Sequence, residues 1–156
     1  MTFEYTPQVE VHRDNFSISD DRKKIQFEVI YDFLANHSYW AREIPIEIVR
    51  RCINGSLCFG VYDGGKQIGF ARVVTDGSTY GYIADVFILE QYRGKGLSKW
   101  LMATIMSDSR LGGFRRWSLA TRDAQGLYAQ FGFQVVSNPE RKMEILNRDI
   151  YRMKSV

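Results

Sequence analysis

Gln91-Tyr92-Arg93-Gly94-Lys95-Gly96-Leu97-Ser98 lies between two stretches of opposite character. Before it, Tyr80 to Leu89 is rich in β-branched and aromatic residues, the composition of a strand. After it, Leu97, Trp100, Leu101, Thr104 and Ile105 recur at helical spacing and give one apolar face. A strand that hands over to a helix leaves free backbone N–H groups at the helix N-terminus. Glycines at 94 and 96 remove the side chains that would keep a ligand from them. The helix dipole, with Arg93, Lys95 and Lys99 nearby, favours an anion there. The stretch predicts a site for something phosphorylated.

Upstream, Phe16-Ser17-Ile18-Ser19 alternates as a short first strand, and Asp20 or Asp21 caps a helix running to about Ala35. Pro45 suits the first turn of a second helix that turns Ile46, Val49 and Ile53 inward and ends at Asn54-Gly55. Ser56–Tyr62, Gln67–Thr75 and Thr79–Leu89 form a meander whose turns are Asp63-Gly64-Gly65-Lys66 and Asp76-Gly77-Ser78. Downstream come a helix over about 94–109, a strand at Arg116–Ala120 and a shorter helix at Ala124–Gln130. Strands are expected at Phe133–Val136 and within Met143–Met153. Antiparallel strands followed by two strand–helix–strand crossovers predict an α/β (α+β) fold, a mixed sheet flanked by helices.

The 156 residues fit one domain, residues 1–156, with a sizeable core, and 45% are hydrophobic. No apolar run reaches the ~18 residues of a membrane span, so no membrane partner is expected. Met1 to Tyr5 lacks a basic and apolar leader, and the cytoplasm is the expected compartment. A net charge of +3 is too small to argue for nucleic acid. Two cysteines without C-x-x-C spacing and two histidines make a poor metal set, so no metal is expected. A nicotinamide Rossmann reading fails because Lys99 stands where a third glycine is required, and Arg115 and Arg116 stand ~20 positions on, where an acid is needed.

Gln91-x-x-Gly94-x-Gly96 after a strand resembles the acetyl-CoA signature, Q/R-x-x-G-x-G/A, of the GCN5-related N-acetyltransferases, the GNAT superfamily. Asp123-Ala124-Gln125-Gly126-Leu127-Tyr128-Ala129-Gln130-Phe131-Gly132-Phe133 resembles the same family's later helix, with its tyrosine, phenylalanine and Gly-Phe. The resemblance runs from about Phe16 to Met153. It implies a mostly antiparallel central sheet with one splayed parallel pair, the strand of Asp85–Leu89 beside that of Trp117–Ala120, and acetyl-CoA in the gap.

On that resemblance, the N–H groups of about Arg93 to Ser98 (Arg93, Gly94, Lys95, Gly96, Leu97, Ser98), with Gln91, hold the pyrophosphate. The main chain of Phe87 and Ile88 pairs with the pantetheine arm. Tyr128 is the expected general acid: a phenol of pKa ~10 is protonated at neutral pH, and a leaving thiolate of pKa ~8.5 can take its proton. Asp85, two residues before Phe87 and so on its strand face, is the expected base; Glu28, His37, Tyr82 and Glu43 are weaker candidates. Tyr39, Trp40, Tyr80 and Tyr82 are candidates for an acceptor pocket, and Arg72, inside an apolar strand, is expected to pair with an acidic group or an acceptor carboxylate. The implied reaction moves an acetyl group to a primary amine of a small molecule. Peptide acetylation and coenzyme A binding without turnover are the alternatives. Dimers are frequent in the family, so a homodimer also enters as an expectation.

Overall fold

A computed structural model describes residues 5–152. Residues 1–4 and Met153 carry part of the leader and last-strand expectations and lie outside the described residues. Six strands form one sheet in chain order: β1 (Glu10–Arg13), β2 (Phe16–Ser19), β3 (Leu57–Asp63), β4 (Lys66–Thr75), β5 (Tyr80–Ile88) and β6 (Arg116–Ser118). All neighbours are antiparallel except β5 and β6, which run parallel. The helices are α1 (Phe27–Asp32), α2 (Ile46–Asn54), α3 (Leu97–Met106) and α4 (Gln125–Ala129). Among the described residues no helix is long and apolar enough to cross a membrane.

The period-2 pattern divides the core in two. Cys58, Phe70 and Phe87 face Ile30, Phe33, Leu34, Val49 and Ile53 from α1, the turn after it and α2. Phe59, Val61, Ala71, Val73, Ile83 and Ile88 face Leu97, Leu101, Met102 and Ile105 of α3, together with Tyr128. The sheet is thus covered on both faces, as a mixed sheet with crossover helices requires.

Three details position the site. First, β6 pairs with β5 only at Tyr80↔Arg116, Gly81↔Trp117 and Tyr82↔Ser118, so β5 from Ile83 onward has no strand on that side. This is the splay that the resemblance implied. Second, β5 carries a bulge: Arg72 lies opposite Ala84 but Phe70 opposite Phe87, and Asp85 takes φ 54°. One extra residue on β5 bends it at Asp85–Val86. Third, Gly69 lies against the end of β5, where a Cβ would stand 2.6 Å from Ile88 Cδ1 and 2.9 Å from the Phe87 carbonyl oxygen.

Several boundaries differ from the sequence reading. β1 is a strand that four exposed residues did not announce. The first helix is broken into a 3-10 turn at Arg22–Lys24, α1, and a π-type turn at Phe33–His37. Asp21 caps the 3-10 turn through the Lys23 N–H at 3.0 Å. Asp20 is buried instead, accepting from the backbone N–H groups of Gln8 and Val9 and from Arg110. Ile46 is 44% exposed rather than inward, because it opens α2 before that helix meets the core. The strands expected at Phe133–Val136 and after Met143 do not form in the described residues; this stretch is irregular chain with a 3-10 turn at Pro139–Arg141 and a further turn at 148–152. A strand needs a neighbour for its N–H and C=O groups, and this stretch has none.

Candidate functional site

The glycine turn is built from the main chain. After β5, the Leu89 N–H donates to the Ile68 carbonyl at 2.8 Å, and a 3-10 turn at Glu90–Tyr92 carries the chain off the sheet. Gly94 (φ 80°) and Gly96 (φ 74°) take the left-handed conformation that Gly adopts without strain. Gly96 is the N-cap of α3, so no side chain caps the first N–H groups of the helix. A Cβ at either glycine would meet nothing within 4 Å, so both face open space. Ile88, Tyr92, Arg93, Gly94, Gly96, Ser98, Lys99 and Leu127, with Leu97, surround a concavity of about 240 Å³. Leu97 is buried and offers only its backbone, while Gln91 and Lys95 lie exposed on the same turn.

Ladder alternation assigns the β5 main chain. Because the Leu89 N–H faces β4, Phe87 turns its N–H and C=O to β4 as well, and Val86 and Ile88 turn theirs to the splay. The Ile88 carbonyl accepts from Arg93 Nε at 3.0 Å, which ties the glycine turn to the strand end. Of the two residues expected to meet a ligand through their backbones, Ile88 faces the gap and Phe87 faces its neighbour strand. The Phe87 ring stacks on Phe33 at 3.9 Å.

Tyr128 lies on α4, which starts where the Ala124 N–H donates to Thr121 Oγ1 at 3.0 Å. Its side chain is 8% exposed, beside Leu127 of the concavity. Among the described residues its hydroxyl has no hydrogen-bond partner. Burial first, and then Tyr39 nearby, pushes its pKa up to about 12. The phenol is therefore protonated across the physiological range.

Asp85 is brought by the bulge onto the Phe87 face, as spacing predicted. One carboxylate oxygen accepts from Trp40 Nε1 at 2.8 Å and the other from Arg72 Nε at 2.6 Å. Arg72 thus pairs with an acidic group, and its Nη1 donates to Ser56 Oγ at 3.0 Å. The pair is nearly buried, with side chains 16% and 9% exposed. Burial opposes the charge on Arg72, but Asp85 beside it outweighs this and raises the Arg72 pKa.

Trp40 and Tyr39 are held in place by Ser38. Its Oγ donates to the Leu34 carbonyl at 2.6 Å and accepts from the Ala41 N–H at 3.0 Å, a local bond that closes the loop. The Tyr39 hydroxyl accepts from the Arg122 N–H at 3.0 Å, and the Arg122 guanidinium lies 3.9 Å over the Tyr39 ring. Two chain segments that face the splay from opposite sides meet in this contact. Sequence reasoning missed Arg122 and Ser56, since contacts across 83 and 16 positions leave no periodic trace. The Val86 backbone was missed because nothing in the sequence announces a bulge. Other base candidates lie elsewhere: Glu28 is exposed on α1, His37 pairs with Asp32 at 3.4 Å, Glu43 lies 3.8 Å from Arg152, and Tyr82 is half-buried.

The thiols are poor nucleophiles. Cys58 is buried and its pKa is pushed up to about 12 by that burial, and burial also raises Cys52. A thiolate is the reactive form, and both sites disfavour it. Among the described residues no three of His, Cys, Asp and Glu come together as a metal site.

Comparison with known proteins agrees with the geometry. The acetyltransferase (GNAT) domain family matches residues 54–135. A candidate acetyltransferase of Xanthomonas campestris pv. campestris, which belongs to the GNAT family, is 42% identical with a TM-score of 0.85, over 87% of this chain and 96% of that one. The candidate acetyltransferase FG08082 of Gibberella zeae is 27% identical over 139 residues, 76% of this chain and 78% of that protein. A GNAT family acetyltransferase of Elizabethkingia anophelis, solved with acetyl-CoA bound, shares the fold at 14% identity and a TM-score of 0.60, over 80% of each chain. A splayed strand pair, a glycine turn opening α3 and a family match across both belong together: the chain is a member of the GNAT acetyltransferase family.

Proposed function

We propose that the chain, acting as one domain, is an acetyl-CoA-dependent N-acetyltransferase that acetylates the primary amine of a small molecule by direct attack. The observation that carries this is the uncapped N-terminus of α3 behind two left-handed glycines, beside the strand end that faces the splay. The N–H groups of Gly94 to Ser98 fit a pyrophosphate, and Arg93, Lys95 and Lys99 add positive charge around it. The Val86 backbone and the Ile88 N–H of β5, which face the splay, suit the amides of a pantetheine arm, as an added strand would. Acetyl-CoA bound to the fold relatives from Elizabethkingia anophelis and Clostridium acetobutylicum supports the same co-substrate.

The amine nitrogen bonds to the thioester carbonyl carbon, the C–S bond breaks, Tyr128 gives its phenolic proton to the departing sulfur, and the proton the nitrogen sheds as the amide forms returns through water to the phenolate. Backbone N–H groups of the bulged strand end are the donors for the developing oxyanion. Asp85, held by Trp40 and Arg72, orients the ammonium that arrives and accepts its proton directly or through water. With both thiols held protonated by burial, no cysteine relays the acyl group. Two unpaired thiols also suit a reducing cytoplasm.

The test is thiol release from acetyl-CoA across a panel of amines and peptides. Turnover on small primary amines is expected, and Tyr128→Phe should lower kcat by ~10²–10⁴-fold while the Kd for acetyl-CoA stays within about twofold. Turnover on peptides alone would overturn the small-molecule reading, and an unaltered kcat would remove Tyr128 as the acid.

A further inference from the structure

On the sheet face that carries Asp85 there is a second concavity, of about 320 Å³. Ile48, Arg51, Cys52 and Ser56, from α2 and the turn after it, line it together with Arg72 and Val74 of β4. Val74 shares its strand face with Phe70 and Arg72 and lies opposite Tyr82. Phe70 is fully buried beneath α1 and α2, yet Val74 is 40% exposed. The sheet therefore leaves a small apolar bed uncovered beside two arginines, a size and a lining suited to a small molecule.

The charges around this bed do not cancel. Arg72 spends Nε on Asp85 and Nη1 on Ser56 Oγ, while its Nη2 makes no hydrogen bond among the described residues. Arg51 is exposed, and its guanidinium has neither an ion pair nor a hydrogen bond among the described residues. Glu47, one turn earlier on α2, lies 3.6 Å from Arg50 instead. Burial raises the pKa values of Cys52 and Tyr82, so neither brings a negative charge. Asp85 balances Arg72, and the charge of Arg51 is left over.

We propose, resting on the N-acetyltransferase reading above, that the acceptor is a primary amine that also carries an acid group, with its amine at Asp85 and its acid at Arg51. Arg72 lies between the two ends. Its Nε holds the carboxylate that meets the ammonium, and its Nη2 is a second donor for the acid. Ile48 and Val74 give the connecting carbons an apolar surface. An acid turned toward Asp85 would be repelled, so the two charges of the acceptor fix which end faces the thioester.

Thiol release from acetyl-CoA with ω-amino acids, aminoalkyl phosphonates and neutral amides of the same chain lengths tests this. Charge-assisted hydrogen bonds from arginine should favour the acids by about 10–100-fold in kcat/KM. In Arg51→Gln, which keeps a good helix former on α2, that preference should fall by about tenfold. Equal turnover of acids and amides would overturn the acid-bearing acceptor and leave the N-acetyltransferase reading standing. Release from no amine at all would defeat both. A preference unchanged in Arg51→Gln would overturn the assignment to Arg51 and confine that side chain to the negative end of the α2 dipole. Wild-type protein alone decides the acceptor class should the variant fail to fold.

Discussion

Replacing Asp85 with Asn tests the centre of the site with little disturbance of shape. Asn is one of the few residues that tolerate the positive φ at this bulge, so the backbone has no reason to move. What disappears is the charge opposite Arg72, whose side chain is only 16% exposed. A cation left unpaired in such surroundings costs about 3–5 kcal/mol. The Asn carbonyl still accepts one bond, from Trp40 or Arg72, so about 3 kcal/mol is expected. Asp85→Ala removes that acceptor as well and adds ~1–2 kcal/mol of left-handed strain, for a total near 5 kcal/mol. Arg72→Met in the Asp85→Asn background removes the stranded cation and should recover much of the loss. Urea unfolding at neutral pH reads these differences as shifts in midpoint at constant slope. If Asp85→Asn unfolds within about 0.5 kcal/mol of wild type, or the double variant is worse than the single, the buried pair is not what holds this corner and the reasoning fails.

Gly96→Ala places a Cβ in open space but at φ 74°, so about 1–2 kcal/mol of strain is expected together with a raised KM for acetyl-CoA. Calorimetric titration and urea unfolding separate the two effects, and unchanged affinity would exclude the turn as the phosphate site. Tyr128→Phe removes a hydroxyl with no protein partner among the described residues, so stability should hold within about 0.5 kcal/mol while turnover collapses. A large loss of stability would mean that the hydroxyl has a structural partner. Tyr128 and Cys58 both have folded-state pKa values near 12, above ordinary values of 10.0 and 9.0. A raised pKa stabilises the fold fully below the unfolded value and is lost as pH rises through the folded one, so stability should decline between pH 9 and 12. For the same reason a basic limb in kcat/KM below about pH 11 would not belong to Tyr128.

The glycine turn, the meander and the short helix that carries Tyr128 were legible because each depends on local chemistry: positive φ at a turn, period-2 alternation, or a motif. Val49 and Ile53 were readable as the buried stripe of α2, whereas Ile46 was not, since periodicity does not say where a helix leaves the core. Asp85 illustrates the boundary well. Its strand face followed from spacing, but the bulge, Trp40 and Ser56 around it are tertiary facts. The expected strands after Gly132 failed for the converse reason: Val135 and Ile145 have the composition of strands, but a strand is a relation between two segments.

The extra residue at Asp85–Val86 has a consequence for how this site can vary over time. Substitutions there change one group at a time, as with Asn for Asp. Losing a single residue would do something no substitution can: it would restore one-to-one pairing between Ala84 and Phe87 and straighten the strand, with the register on both flanks kept. Phe87 would stay opposite Phe70, but the left-handed position from which Asp85 reaches both Trp40 and Arg72 would be gone. Descendants of this chain should therefore show many side-chain replacements around position 85 and almost no change in the number of residues.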